Sequence, residues 1–409
     1  MSAVELTADQ FIPMYSDLDV KCFYKDVSLP WQTTAGQSLS AFVKAFYKNG
    51  VLEKVGICES DKKFSADDSF SDQEMTEFNP YRPISLVPVE IIKPWGKEIW
   101  FTGIEERGIS KVVQKDGDSP INISTLFKTL GSVISSVPNS DPLLLKILSP
   151  NSDPLSGSLY YEVHEEKEEV YFVTDVSEAY SDSIGRMKFG ISREKLEAFG
   201  LDPNIFKREM RLAFKEYEAV RNDVEVQFDQ FRKVDGIGDK DPIDSDQLND
   251  FYSRLSPELR EREKIAQARA EEFVGWIPVR VGDVIKVEKN VPHSLQFGVE
   301  VVEFQTPVYE RKIISFNQKV LTQESWDSED GIDLIDLSKK FVRPSGIINF
   351  PDFRVGYVSE AGQEVLESEM VVYNLDNSNF PTGALFFPKG MKKDPESLLE
   401  NKMLFASRR

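Results

Sequence analysis

A chain of 409 residues is longer than one hydrophobic core usually grows, so two or three packed units are expected. Its 49 lysines and arginines stand against 69 aspartates and glutamates, and the net charge of -20 opposes non-specific binding to nucleic acid or to an anionic membrane surface. The two cysteines, Cys22 and Cys58, lie far from any Cys-x-x-Cys spacing and supply neither a disulfide framework nor a sulfur-rich metal site.

Residues 1–9 carry early acids and no apolar signal segment, and no apolar run approaches a membrane span, so a soluble, cytoplasmic protein is expected. Residues 1–85 read as an α+β extension. The spacing of Leu39, Phe42, Val43 and Phe46 predicts a helix over 38–47, beside β character at 19–24. The acidic, Ser-rich stretch 60–77 reads as a loop or linker. From 83 to 113 the pattern is strand-rich around Trp95-Gly96, a pair that reads as a packing element, and Glu105, Glu106 and Arg107 read as a solvated turn. A short helix is expected over 124–134. Residues 142–148 are apolar on both faces except for Lys146, the pattern of a buried strand.

Between 191 and 273 the periodicity turns helical, with helix starts at Ser192, Asp202-Pro203 and Ser256-Pro257 and a break beginning at Gly236. β character returns from 276 to 316, and strand alternation with Gly and Pro turns recurs from 347 to 391, for example at 370–374 and 383–388. No phosphate-loop, dinucleotide-binding or nucleophile-elbow string occurs.

Only two histidines are present, and each lies in a short β-type segment: Leu159-Tyr-Tyr-Glu162-Val-His164, followed by Lys167 and Glu169, and Val291-Pro-His293. Side chains alternate along a strand, so Glu162 and His164 share a face. If residues 165–168 form a hairpin loop, Glu169 lies opposite His164 on the returning strand. With His293 added, two imidazoles and two carboxylates converge, a donor set suited to zinc and also to iron(II), manganese or cobalt. The bland alternatives are a solvated His164 in an acidic hairpin and a core His293 hydrogen-bonded to backbone.

The order of these segments resembles the type I phosphomannose isomerases of the cupin superfamily. Residues 142–148, the Leu159 to His164 string and the Lys167-Glu-Glu169 string are similar to that family's strand before the site, its Leu-Ser-x-Gln-x-His motif and its Lys-x-Glu element. Gly282-Asp283 with His293, Glu303-Phe-Gln305 with Arg311, and the early Trp95-Gly96 resemble its later Gly-Asp…His, Glu-Ile-Gln…Arg and Trp-Gly elements. The likeness spans roughly 86–318.

The resemblance implies a mainly β fold: a cupin double-stranded β-helix, or jelly roll, with a helical insertion and a second, β-rich C-terminal domain. The boundaries it suggests are 1–85 for the extension, 86–190 and 276–318 for the metal-binding cupin domain, 191–275 for the insertion and 319–409 for the C-terminal domain. It implies Glu162, His164, Glu169 and His293 as ligands of Zn2+, or of Fe2+, Mn2+ or Co2+. The implied reaction is the isomerisation of mannose 6-phosphate to fructose 6-phosphate through an enediol(ate). Lys167 is then a candidate for proton transfer, should burial lower its pKa, with an exposed hairpin-tip lysine as the alternative. Arg311 is a candidate for stabilising enediolate charge, against an ordinary strand-end ion pair. Lys146 and Tyr160 are the candidate substrate contacts, Lys146 as the phosphate cation.

Two departures stand out. Glu162 replaces the family's glutamine, and a second carboxylate weakens a bound dication as a Lewis acid. Tyr160 replaces a serine that contacts phosphate in the family. A cupin acting on an unphosphorylated sugar or polyol, and a non-catalytic metal- or sugar-binding cupin, are therefore the rival expectations.

Overall fold

The computed structural model describes residues 10–11, 19–27, 39–60, 74–105, 107–115, 117–137, 141–239, 241, 243–321, 323–361, 368–376, 383–391 and 403–409. The protein is mainly β and built from antiparallel sheets. It divides into two compact units: Met1–Ile91 with Ile99–Lys146 and Ser345–Arg409, and Ile92–Glu98 with Ile147–Pro344. No helix among the described residues is long and apolar enough to cross a membrane.

In the first unit a five-stranded sheet runs in chain order: Gln10–Phe11, Asp19–Val27, Leu39–Lys48, Val51–Ser60 and Thr76–Phe78. The helix expected over 38–47 is thus a strand, paired on both sides. Leu39 to Val43 are buried in succession, so both faces of this strand are covered. A run that is apolar on both faces also matches helical spacing, and the pairing decides between the two. Asn49 and Gly50, at φ 51° and 77°, make the two-residue turn that brings Val51 back against Lys48. Of the linker expected over 60–77, residues 61–73 lie outside the described residues, and its end forms the Thr76–Phe78 strand.

The same unit contains an eight-stranded sheet in the order Ile121–Asn122, Lys111–Val113, Ile84–Val87, Ala384–Phe387, Met370–Asn374, Met403–Arg408, Phe353–Tyr357, Ile348–Asn349. The 319–409 block is therefore not a domain of its own. Its strands from Ile348 onward complete a sheet that Ile84–Val87 helps to form, while 319–344 belong to the second unit. The boundary expected after residue 85 likewise falls inside a strand. Pairing between distant segments, invisible to local composition, draws these divisions.

The second unit is a jelly-roll sandwich. One sheet has the order Val274–Val279, Gly185–Ile191, His293–Leu295, Tyr161–Val163, Lys312–Ser315. The other has the order Val284–Val287, Glu169–Val176, Val299–Gln305, Leu144–Pro150, Gly96–Trp100, Val89–Lys93, and its last three strands contain the points where the chain passes between units. Tyr171, Val173, Ile285, Val287 and Val301 from this sheet pack against Met187, Phe189, Ile277, Leu295 and Ile313 from the first. Trp95 is buried in this core, and Gly96 sits at φ +145°, where a Cβ would meet the Ser149 carbonyl oxygen at 2.3 Å. Trp95-Gly96 is accordingly a packing element.

Four helices, Arg193–Ala198, Pro203–Asp235, Ser245–Arg254 and Pro257–Glu271, lie between the paired strands Gly185–Ile191 and Val274–Val279. Each expected start is a real cap. The Ser192 hydroxyl accepts from Lys195 N–H, the Asp202 carboxylate from Asn204 and Ile205 with Pro203 following, and the Ser256 hydroxyl from Leu259 with Pro257 following. Gly236, at φ 72°, ends the long helix. Phe206, Met210, Ala213, Phe214 and Tyr217 on that helix cover Tyr161, Val163, Val274 and Ile314 on the outer face of the sheet that starts with Val274–Val279. Further along, the buried Arg221 bonds Glu225, Glu263 and the Tyr252 hydroxyl. Replacing Arg221 by Leu strands two carboxylates, so urea unfolding of the helical signal should show a loss of about 3–5 kcal/mol.

Candidate metal centre

The centre is built where the two sheets of the sandwich face each other. Glu162 lies directly opposite His293 on neighbouring strands of the first sheet of the sandwich. Tyr161 and Val163 belong to the helix-covered outer core, so alternation directs Glu162 and His164 inward. Glu169 opens a strand of the other sheet, where it pairs with Val287 and Gln305.

This corrects the expected hairpin. The Tyr161–Val163 strand has His293–Leu295 on one side and Lys312–Ser315 on the other, so Glu169–Val176 has no free edge to pair with there. The turn at 165–168 instead crosses the sandwich, and Glu169 approaches His164 from the facing sheet. Donors therefore converge from two layers rather than along one.

One donor atom each from Glu162, His164 and His293 lies within 4.8 Å of the others. His164 Nε2 is 3.5 Å from Glu162 Oε1 and 3.5 Å from Glu169 Oε1, and His293 Nε2 is 3.1 Å from Glu169 Oε2. Both imidazoles are held from behind. His164 Nδ1 donates to the Glu310 carbonyl at 2.9 Å, and His293 Nδ1 donates to the Val291 carbonyl at 3.0 Å. A carbonyl only accepts, so each Nδ1 carries the hydrogen and, in the neutral ring, each Nε2 presents a lone pair to the cluster. His164 Nε2 and Glu162 Oε2 are buried with no hydrogen-bond partner among the described residues. Buried, inward-facing electron pairs of nitrogen and carboxylate oxygen fit a divalent cation.

The electrostatics agree with that fit. Burial, helped by the Lys167 charge, lowers the His164 pKa against the opposing pull of Glu169 and Glu162. Burial also disfavours charge on His293, but hydrogen bonding and charge from Glu169 outweigh it and raise its pKa. The His293–Glu169 contact requires positive charge between two acceptors, a proton or a metal ion. Burial opposes ionisation of both carboxylates as well. Glu162 is nonetheless held well below the usual carboxylate range by His164, Arg311 and Lys167, and Glu169 by Lys167 and the two imidazoles.

Lys167 is no exposed hairpin tip: it is buried, with Nζ 2.5 Å from Glu169 Oε1. Burial works against its charge, but Glu169, Glu162 and Glu303 outweigh that and raise its pKa, opposite to the lowering that a proton-accepting amine needs. Arg311 Nε lies 3.9 Å from Glu162 Oε2, and its guanidinium stands 4.7 Å from the Tyr160 ring centroid. Tyr160 in turn packs on Phe316 at 4.3 Å between centroids. The structure thus gathers Glu162, His164, Glu169, His293, Lys167, Arg311 and Tyr160. Lys146 belongs to the other unit, with its ammonium 5.0 Å from the Trp100 ring centroid.

Sequence reasoning missed several participants. The Tyr171 hydroxyl donates to Glu169 Oε2 at 2.6 Å, and Tyr171 follows Glu169 by two, so strand alternation was the available signal. Glu303, buried opposite Tyr171, reads in the sequence only as part of the Glu303-Phe-Gln305 string. The carbonyls of Val291 and Glu310 left no trace in side-chain pattern.

No family model matches the chain, and no curated protein matches it. Among solved structures the fold is similar to mannose 6-phosphate isomerase from Bacillus subtilis, with 13% identity and a TM-score of 0.43 over 79% of this chain and 99% of that one. A mutant phosphomannose isomerase from Salmonella typhimurium is similar at 10% identity and TM-score 0.43, covering 80% of this chain and 97% of that one. A mannose 6-phosphate isomerase bound with zinc and yttrium gives 10% and 0.42 over the same shares. These are likenesses of fold, and the chemistry of the centre rests on its own side chains.

A divalent cation that binds here stabilises the folded state. At about 100 times its Kd, zinc or cobalt should add about 2.7 kcal/mol to the unfolding free energy. Scanning calorimetry of metal-free protein with and without the ion checks this, and His164→Ala and His293→Ala should each abolish the increase.

Proposed function

We propose that the protein is a metal-dependent aldose–ketose isomerase, with zinc the first choice of ion and mannose 6-phosphate to fructose 6-phosphate the reaction. The observation that carries the reading is the convergence of two imidazole Nε2 atoms and two carboxylates inside a jelly roll, with both rings anchored through Nδ1. The order of sequence motifs around these residues supplies the substrate class.

Glu162, His164, Glu169 and His293 would hold the ion, which when bound supplies Lewis acidity toward sugar oxygens. Arg311 and Glu162 are the more exposed members, their side chains 24% and 17% accessible against 1–2% for the imidazoles and Glu169. Substrate therefore enters past Arg311. Its guanidinium, fixed over Tyr160, stabilises the negative charge that grows on the C1 and C2 oxygens as the C2 proton leaves and the C1–C2 double bond forms. Lys167, kept protonated by Glu169, holds an N–H for hydrogen bonding to a sugar oxygen. A general base takes the C2 proton and returns it at C1 while one proton passes from the C2 hydroxyl to O1, so the product is an isomer and no second reactant is consumed.

A second reading, an unphosphorylated sugar or polyol as substrate, is favoured by the packing of Tyr160 between Phe316 and Arg311, which presents an aromatic wall rather than an anion cradle. Zinc-loaded protein in coupled assays with mannose 6-phosphate and with mannose separates the two. We expect turnover of the phosphorylated sugar, lowered about 100-fold or more in kcat by Arg311→Ala. Turnover of mannose alone favours the second reading. A metal-loaded protein that turns over neither sugar is a binding protein.

A further inference from the structure

The turn that carries His164 across the sandwich meets one residue at several points. Glu310 lies in the connection between strands Val299–Gln305 and Lys312–Ser315. Its backbone carbonyl accepts the His164 Nδ1 hydrogen, and its carboxylate Oε2 accepts the N–H groups of Glu165 at 3.0 Å and Glu166 at 3.3 Å. Three consecutive residues, 164 to 166, are thus tied to one. On the other side the His164 carbonyl accepts from Asn290 N–H at 2.7 Å, so the backbone is gripped from both directions.

An acidic side chain here is costly in Coulomb terms, because Glu165 and Glu166 are themselves acids in a chain of net charge -20. What the carboxylate contributes is an acceptor for two N–H groups that have left the strand ladder, and unpaired backbone donors carry a penalty of their own. We propose that Glu310 is a positioning residue of the metal centre: by fixing the 165–166 turn and the ring of His164 together, it aims Nε2 at the ion. This assignment rests on the metal reading above. It reaches beyond the proposed ligand set to a residue that contacts the 164–166 turn.

The geometry separates shape from charge. One oxygen, Oε2, accepts both N–H groups, while Oε1 is buried with no hydrogen-bond partner among the described residues. The amide oxygen of glutamine can take over the work of Oε2 without the charge. Aspartate keeps the charge but is one methylene short of the turn.

The experiment is competition of zinc between the protein and a chromophoric chelator, for wild type and for Glu310→Gln, Glu310→Asp and Glu310→Ala, with the melting temperature of each metal-free protein as the control for folding. Glu310→Ala and Glu310→Asp should bind zinc about 10–100-fold more weakly, as loss of a group supporting a ligand does elsewhere, while Glu310→Gln stays within a few-fold of wild type. Equal affinity of wild type and Glu310→Ala overturns the assignment, and so does an order in which aspartate is kept and glutamine lost, which would mark a role of charge alone. Should Glu310→Ala fail to fold, the glutamine and aspartate variants decide. A wild-type protein that takes up no zinc overturns the metal reading, and this assignment with it, and is recognised without any variant.

Discussion

Electron pairs aimed at one another in a largely buried site repel unless positive charge joins them, and that constraint organises the second unit of this protein. His164 and His293 each spend Nδ1 on a backbone carbonyl, which leaves Nε2 facing Glu162 and Glu169. Lys167 and Arg311 supply part of the positive charge from the sides. The arrangement is costly as a plain core and economical as a cation site, which explains why a β sandwich would keep two carboxylates among valines and isoleucines.

The location follows from strand geometry. A single sheet can place Glu162 beside His293, but its outer face is covered by helices and its inner face looks at another sheet. By carrying the chain across the gap at residues 165–168, the fold adds Glu169 from the opposite layer. The four side chains then surround a volume instead of lining a surface, as coordination of a small ion would require.

Much of this was legible in the sequence, for reasons that also explain what was not. The donor residues could be read because alternation along a strand and the scarcity of histidine are local facts. The bland alternative for His293, a backbone hydrogen bond, holds alongside the cluster, since that bond is what turns Nε2 inward. The hairpin reading failed because strand partners are a property of the whole sheet, and both edges of Tyr161–Val163 are occupied by distant segments. The helix expected over 38–47 failed for a related reason: a strand covered on both faces has no alternation to show, and the Asn49-Gly50 turn beside it was the better signal. Helix starts, by contrast, depend on a cap residue and its next few neighbours. Ser192, Asp202 and Ser256 were all found.

The helical segment leaves the jelly roll after Ile191 and re-enters at Val274, and those two residues are paired across neighbouring strands. Its entrance and exit are therefore side by side, like the two ends of a handle. A handle of this kind can grow or shrink without prying its attachment points apart, since doubling an already closed loop costs only about 0.6 kcal/mol in chain entropy. What restrains its length is the roof it forms over Tyr161 and Val163. Variation in length is then expected to gather at the break that begins with Gly236, because the helix after it is tied back by Ser245 to Ser156 and by Asn249 to Asp153, while the helix turns lying on the sheet keep their spacing.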